Sequence, residues 1–318
     1  MERLSMSTRP LVLCVVLLAA LAEAVVAKPP AAKKQAAFPR ELVDWTPWAG
    51  NPVFRGAGAG HWDAAIRERG WILREGSLYR LWYTGYDGTR EGIKQLGYAT
   101  SDDGLRWTRS KLNPLVPGHW IEDLMIVRDG GTYYMFAEGP RSSEAQLLTS
   151  ADGVNWKPEG VPEIRTTTGE RVKPPFGTPT VWLEKGSWHL FYERADLGVW
   201  LATGDDPRRL RWANVRDEPV LVPGPTEYDS EMIAVDQVIK HGGVYYAFYH
   251  GSGRCAEGAP RTWNTNVARS ADLIHWEKFA GNPIVGDNKS SGIVVPAGNG
   301  YRLYTMHDRV DVFESPRE

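Results

Sequence analysis

The chain has 318 residues, 42% of them hydrophobic and 24% charged, which allows a large buried core and excludes a disordered composition. Its formal net charge of −2 lacks the positive footprint that phosphate backbones demand, so nucleic acid is not expected as a partner. With two cysteines, Cys14 and Cys255, there is no set for structural zinc.

Residues 1–27 read as a signal peptide. Arg3 and Arg9 lie at the start, "LVLCVVLLAALA" (11–22) is an apolar run, and Ala22, Ala24 and Ala27 offer cleavage sites. This predicts a secreted or periplasmic protein with no membrane contact after cleavage, the other reading being an uncleaved anchor. Loss of Glu2, Arg3, Arg9 and Glu23 leaves the charge unchanged, and loss of Cys14 leaves Cys255 without an internal disulfide partner. Residues 28–37, "KPPAAKKQAA", read as a disordered lead-in.

From residue 38 to 318 the chain repeats itself. Five aromatic strands recur, "YRLWYTG" (79–85), "YYMFAEG" (133–139), "WHLFYER" (188–194), "YYAFYHG" (245–251) and "YRLYTMH" (301–307). Each follows a short apolar strand and a tight turn such as "MIVRDGG" or "QVIKHGG". Four are followed by a strand, an Asp-rich turn and a Trp, as in "GYATSDDGLRW" (97–107), "QLLTSADGVNW" (146–156), "WLATGDDPRRLRW" (200–212) and "NVARSADLIHW" (266–276). No sustained helical period is present in this region. Four antiparallel strands repeated about five times predict an all-β, five-bladed β-propeller.

The fifth unit ends without its Trp strand. "LVDWTPWAGNPVF" (42–54) is in register with "LIHWEKFAGNPIV" (273–285), so the N-terminal segment is expected to supply the missing strand and close the ring. The Trp residues at 45, 107, 156, 212 and 276 would then wedge between neighbouring sheets.

The five-unit count, the "NPVF" and "NPIV" blade ends and the "YATSDDGLRW" turn resemble the five-bladed propellers of glycoside hydrolase families 43, 32, 117 and 130. The resemblance covers essentially all of residues 38–318. The turn is also similar to the Asp box of six-bladed sialidases but is one residue shorter.

Functional groups in such a ring converge where the innermost strands start and the second strands end. Asp63 and Asp229 both stand sixteen residues before the aromatic strand of their blades, at equivalent positions. Glu122 and Asp123 precede the inner strand of blade two, and blade three offers Thr178-Pro179 instead of an acid. At the second-strand ends lie Thr84, Glu138, Glu193, His250 and Met306, with His307 next to the last. Cleaving a glycosidic bond needs two carboxyl groups, one protonated and one ionised. By resemblance, Asp63 is the base, Asp123 tunes pKa and orientation, and Glu231 is the acid. Trp62 and Trp120, each in "GHW", either stack on sugar faces or fill blade edges.

Arg67, Arg69, Arg171 and Lys173 lie near the same ring, as partners to the acids or as phosphate ligands. The resemblance to family 130 implies the latter, with phosphorolysis through a single acid. It also admits a central Ca²⁺, which an oxygen-rich funnel can hold but nothing in the sequence requires; no other cofactor is expected. The function expected is hydrolysis of a poly- or oligosaccharide. The alternatives are a phosphate-dependent phosphorylase and a propeller that binds carbohydrate without cutting it.

Overall fold

Alternating apolar residues give strands with one buried face, and aromatic strands buried on both faces give the centres of sheets. The computed structural model, which describes residues 37–140, 144–195 and 197–316, places these strands in five antiparallel sheets. The signal-peptide and lead-in expectations at 1–27 and 28–36 lie outside the described residues. No helix among the described residues is long and apolar enough to cross a membrane.

Blade one is built on Trp71–Glu75, Leu78–Tyr86, Gln95–Ser101 and Thr108–Arg109, with Ala65–Ile66 added beside the second strand. Blade two comprises Glu122–Asp129, Thr132–Glu138, Ala145–Ser150 and Lys157–Gly160. Blade three comprises Gly177–Glu184, Ser187–Glu193, Val199–Gly204 and Arg211–Asn214, with Glu163–Arg165 running parallel along its outer edge. Blade four comprises Met232–His241, Val244–Ser252, Asn264–Ser270 and Trp276–Lys278. The innermost strand of each blade contacts those of both neighbours, so the five sheets form a closed ring.

Blade five shows how the repeated phrase works. Its own strands are Ile293–Ala297, Gly300–Met306 and Arg309–Glu314; the N-terminal segment then pairs Thr46 with Glu314, Pro47 with Phe313 and Phe54 with Val310. Asn51 locks this edge by donating from Nδ2 to the Val312 carbonyl at 2.8 Å and accepting from the Val312 N–H at 2.7 Å. Asn113 makes the same pair of bonds to Tyr98, and Asn282 to Val267. The amide side chain imitates a strand, which is why the Asn-Pro phrase recurs after each of these outer strands.

The Asp turns are uniform. Asp103, Asp152 and Asp272 each accept two backbone N–H groups through Oδ1, and Ser101, Ser150 and Ser270 cap the same turns. Three of the repeat Trp residues reach the sheet before their own. Trp156 meets Trp82, Trp212 meets Phe136 and Trp276 meets Phe191, all edge-on with centroids 5.9–6.5 Å apart. These partners occupy one position in successive aromatic strands, so the predicted wedge is present at Trp156, Trp212 and Trp276.

Candidate active site

A cavity of about 220 Å³ opens where the blades converge, and all five contribute to its lining. Blade one supplies Arg67 and Glu68; blade two Glu122, Asp123 and Glu138; blade three Thr178 and Glu193. Blade four adds His250 and Trp263, and blade five Ser290, Ser291 and His307.

Three inner strands are irregular where they approach this cavity. Pairing shifts between Glu122 and Met125 in blade two, between Gly177 and Thr180 in blade three, and between Val235 and Gln237 in blade four. A bulge re-aims the side chain it carries and frees backbone groups from the ladder. Asp123 and Thr178 sit in these bulges with φ of 47° and 45°, left-handed values that cost a non-glycine residue energy and mark sites held by their surroundings.

Arg69 does the holding. Its guanidinium is fully buried and donates to the carbonyls of Asp123 at 3.1 Å, Pro179 at 2.8 Å and Asp236 at 3.5 Å, and to the Thr180 hydroxyl. One side chain from blade one thus satisfies backbone freed in blades two, three and four. Arg69 lies beneath the cavity rather than in it, which removes it as an anion ligand.

Asp123 lies in the wall of the cavity. Burial pushes its carboxyl well above the usual range, and repulsion from Glu138, Glu68 and Glu122 adds to this, while Arg69 pulls the other way. Its Oδ1 is sealed from solvent and finds no hydrogen-bond partner among the described residues. Glu138, by contrast, is pinned: its Oε1 accepts the Thr178 N–H at 2.6 Å and the Thr178 hydroxyl at 3.2 Å. A Cβ at residue 177 would come within 2.1 Å of that oxygen, so Gly177 is needed there. Glu122 spends both oxygens, on Arg67 Nε at 2.7 Å and Trp120 Nε1 at 3.1 Å. His250 places Nδ1 2.7 Å from Oδ1 of the buried Asp236, and its ring meets Trp263 edge-on at 5.3 Å.

Of the residues singled out in the sequence, Arg67, Glu122, Asp123, Glu138, Glu193, His250 and His307 come together in the cavity. Others do not, and three assignments need correction. Asp63, expected as the base, is buried away from the cavity, accepting from the Tyr83 hydroxyl at 2.8 Å and from Arg109 Nε at 2.9 Å. Asp229 repeats that arrangement with Tyr249 at 3.0 Å and Lys278 at 2.5 Å, so the two equivalent acids are struts inside blades one and four. Glu231, expected as the acid, is 36% exposed at the rim and faces Arg261 at 3.5 Å and Arg254 at 3.8 Å.

Trp62 stacks on Tyr83 inside blade one, the blade-edge alternative. Arg171 is an exposed cation 3.9 Å from Glu144, outside the cavity. Trp120 lines a second hollow beside the cavity. Glu68, Asp236, Trp263, Ser290 and Ser291 were not singled out. Asp236 did carry a signal, an acid inside the apolar run "IAVDQVI". Among the described residues no group of three or more His, Cys, Asp or Glu side chains is arranged to hold a metal ion.

No protein-family model matches the chain. It is 25% identical over 220 residues to an uncharacterized protein of Mycobacterium tuberculosis, found in two strains, covering 64% of this chain and 72% of the relative. A candidate glycosidase from Bacteroides thetaiotaomicron superposes with a TM-score of 0.68 at 15% identity, covering 89% of this chain and 100% of the other. β-1,2-Mannobiose phosphorylase from Listeria innocua, solved with β-1,2-mannobiose, gives a TM-score of 0.62 at 15% identity, covering 85% and 95%. The bulged, acid-lined ring described above is therefore a five-bladed β-propeller of the fold found in these glycosidase and phosphorylase structures.

Proposed function

We propose that this protein is a glycoside hydrolase, with Asp123 as the general acid that protonates the leaving oxygen. The observation that carries this reading is the setting of Asp123: a carboxyl on the cavity wall, on a backbone bent to aim it, where burial and three neighbouring glutamates favour the protonated form. A neutral acid at working pH is what glycosidic cleavage requires of one partner. Glu193, on the blade-three wall of the same cavity, is the proposed base that activates water. Glu138 maintains the field that holds the proton on Asp123, and His250 and His307 bind sugar hydroxyls.

Hydrolysis is favoured over phosphorolysis by the charge of the cavity. Five carboxyl groups face one guanidinium, Arg67, which already bridges Glu68 at 3.0 Å and Glu122 at 2.7 Å. A phosphate dianion would be repelled there. Action after export is proposed on residues 1–27 alone.

The test is release of reducing sugar from a panel of oligosaccharides, with and without inorganic phosphate, by the unaltered protein and by Asp123→Asn. Phosphate-independent release abolished by Asp123→Asn is expected. Release only with phosphate would replace hydrolysis by phosphorolysis, and binding without release would make the protein a carbohydrate-binding module.

A further inference from the structure

Beside the cavity lies a second hollow of about 360 Å³, walled on one side by the Arg67–Glu122 bridge and lined otherwise by Tyr86, Arg90, Lys94 and Trp120, so that three cations face one carboxylate that is already paired. Lys94 is its unusual member. The residue is only 6% exposed, yet no carboxylate lies within 4.0 Å of its ammonium among the described residues. Its Nζ donates to the carbonyls of Gly92 at 2.9 Å and Arg90 at 3.3 Å, and sits 4.4 Å from the centre of the Tyr86 ring and 5.2 Å from that of Trp120. An ammonium has three donors, so one is left over.

Asp87 turns Oδ1 to the Thr89 N–H at 2.9 Å and hydroxyl at 2.7 Å and acts on Lys94 only from beyond ion-pair distance, and Glu122 has both oxygens engaged. Buried charges in proteins are normally paired, because an unpaired one loses its hydration without return. Arg90 adds a second positive charge at the exposed rim.

We propose that this hollow is a subsite for an anionic sugar unit, whose carboxylate or sulfate-ester group completes the pairing of Lys94 while its ring stacks on Trp120 or Tyr86. The inference deepens the hydrolase reading and rests on it for the substrate's being a glycan. Charge separates the two compartments. The acid-lined cavity takes a neutral unit, where a uronate would be repelled, and the cationic hollow takes its charged neighbour across Arg67. The substrate class is therefore a glycan with an anionic residue next to the bond cleaved.

The experiment measures binding, not turnover. Glucuronate- and galacturonate-containing disaccharides, their carboxyl-reduced counterparts and monosulfated disaccharides are titrated into Asp123→Asn, alone and combined with Lys94→Met or Lys94→Arg. Kd is read from tryptophan fluorescence and the contact from the Trp120 indole N–H resonance. At least one acidic disaccharide should bind about tenfold more tightly than its neutral counterpart. The preference should vanish in Lys94→Met, survive in Lys94→Arg and shrink with added salt. Uronates and sulfates that gain alike assign the site to charge alone; a gain for one assigns it to that group. Equal binding of charged and neutral sugars, or a preference that outlasts Lys94→Met, overturns the proposal. So does acidic-sugar binding that leaves the Trp120 resonance unmoved in the Lys94-containing protein, a readout that survives any misfolding of the variants. Acidic binding through Lys94, together with no cleavage of any glycan by the unaltered protein, would sink the hydrolase reading and leave the subsite standing.

Discussion

The guanidinium of Arg69 faces the carboxylate of Asp236 at 3.7 Å, and both side chains are wholly sealed from solvent. Around this pair the bulges of three blades are joined, and His250 is oriented by the same carboxylate. Removing one member of a buried pair strands the other charge, which typically costs about 3–5 kcal/mol. Arg69→Met and Asp236→Asn are each expected to lower unfolding stability by about that amount, and the double variant to lose less than the sum of the two. Urea unfolding of the four proteins measures this. Strict additivity would mean that the two groups do not act as a pair.

Asp123 makes a prediction of the opposite sign for stability. Its folded pKa is raised above the unfolded value, so its neutral form fits the fold at low pH and its ionisation penalises folding as pH rises. Asp123→Asn should raise Tm at pH 7 and leave it unchanged near pH 3. Activity should move the other way, with kcat falling by about 10²–10⁴-fold. If the proposed hydrolase reading holds, the rate of the unaltered protein should decline as pH rises through the raised pKa. A variant that is both less stable at neutral pH and fully active would refute the assignment.

The ring was legible because its repeats are written in large residues. Aromatic strands and Trp turns at matching positions give the blades, and "AGNPVF" beside "AGNPIV" gives the closure. The site was only half legible. Spacing placed Asp63 and Asp229 at equivalent positions, which they occupy, but could not show that Tyr83 with Arg109, and Tyr249 with Lys278, draw them into the blades. Position before the inner strand placed Asp123 at the funnel, but a strict strand register hides bulges, so the bend that aims it could not be seen. Nor could Arg69 be told from Arg67, two residues away, although one is buried beneath the floor and the other lines the wall.

The reassignment of Asp63 can be tested directly. As a strut between Tyr83 and Arg109 it contributes to folding and not to chemistry. Asp63→Asn should lose about 1–3 kcal/mol of stability, the cost of leaving buried partners unsatisfied. Specific activity, corrected for the folded fraction, should stay within a few-fold of the original. A thousandfold loss of kcat in fully folded protein would return Asp63 to the active site.

The Asp turns predict acid behaviour. Two backbone N–H groups, that of Arg106 foremost, bring Asp103 down to about 2, and Asp152 is lowered in the same way by Asn155 and Val154. In Asp272 the N–H groups of His275 and Ile274 outweigh burial, which acts to raise it, and the carboxyl is again lowered. Folded values below the unfolded carboxylate range mean that their contribution is full above about pH 4 and is lost as pH falls through each lowered value, first for Asp103 and later for Asp152. Asn substitutions at Asp103 and Asp152 should therefore lower Tm at pH 7 by an amount that shrinks steadily below about pH 4, sooner for Asp103. Parallel Tm curves at all pH values would show that ionisation of these turns is irrelevant.

Closure of the ring depends on a side chain that imitates backbone. Asn51 gives Val312 both a donor and an acceptor, 261 residues away in sequence. Leucine at this position has similar volume but neither polar group, so the Val312 N–H loses its partner, while the Val312 C=O keeps the Trp48 N–H at 2.8 Å. Asn51→Leu should cost about 1–3 kcal/mol, the cost of one stranded buried donor. The loss should be local. Hydrogen exchange should quicken in Arg309–Glu314 and in the Thr46–Pro47 segment before it changes in blade three, since opening there needs only the last strand pairing to break. Uniform quickening round the ring would instead mean that the five blades unfold as one cooperative body from any starting point.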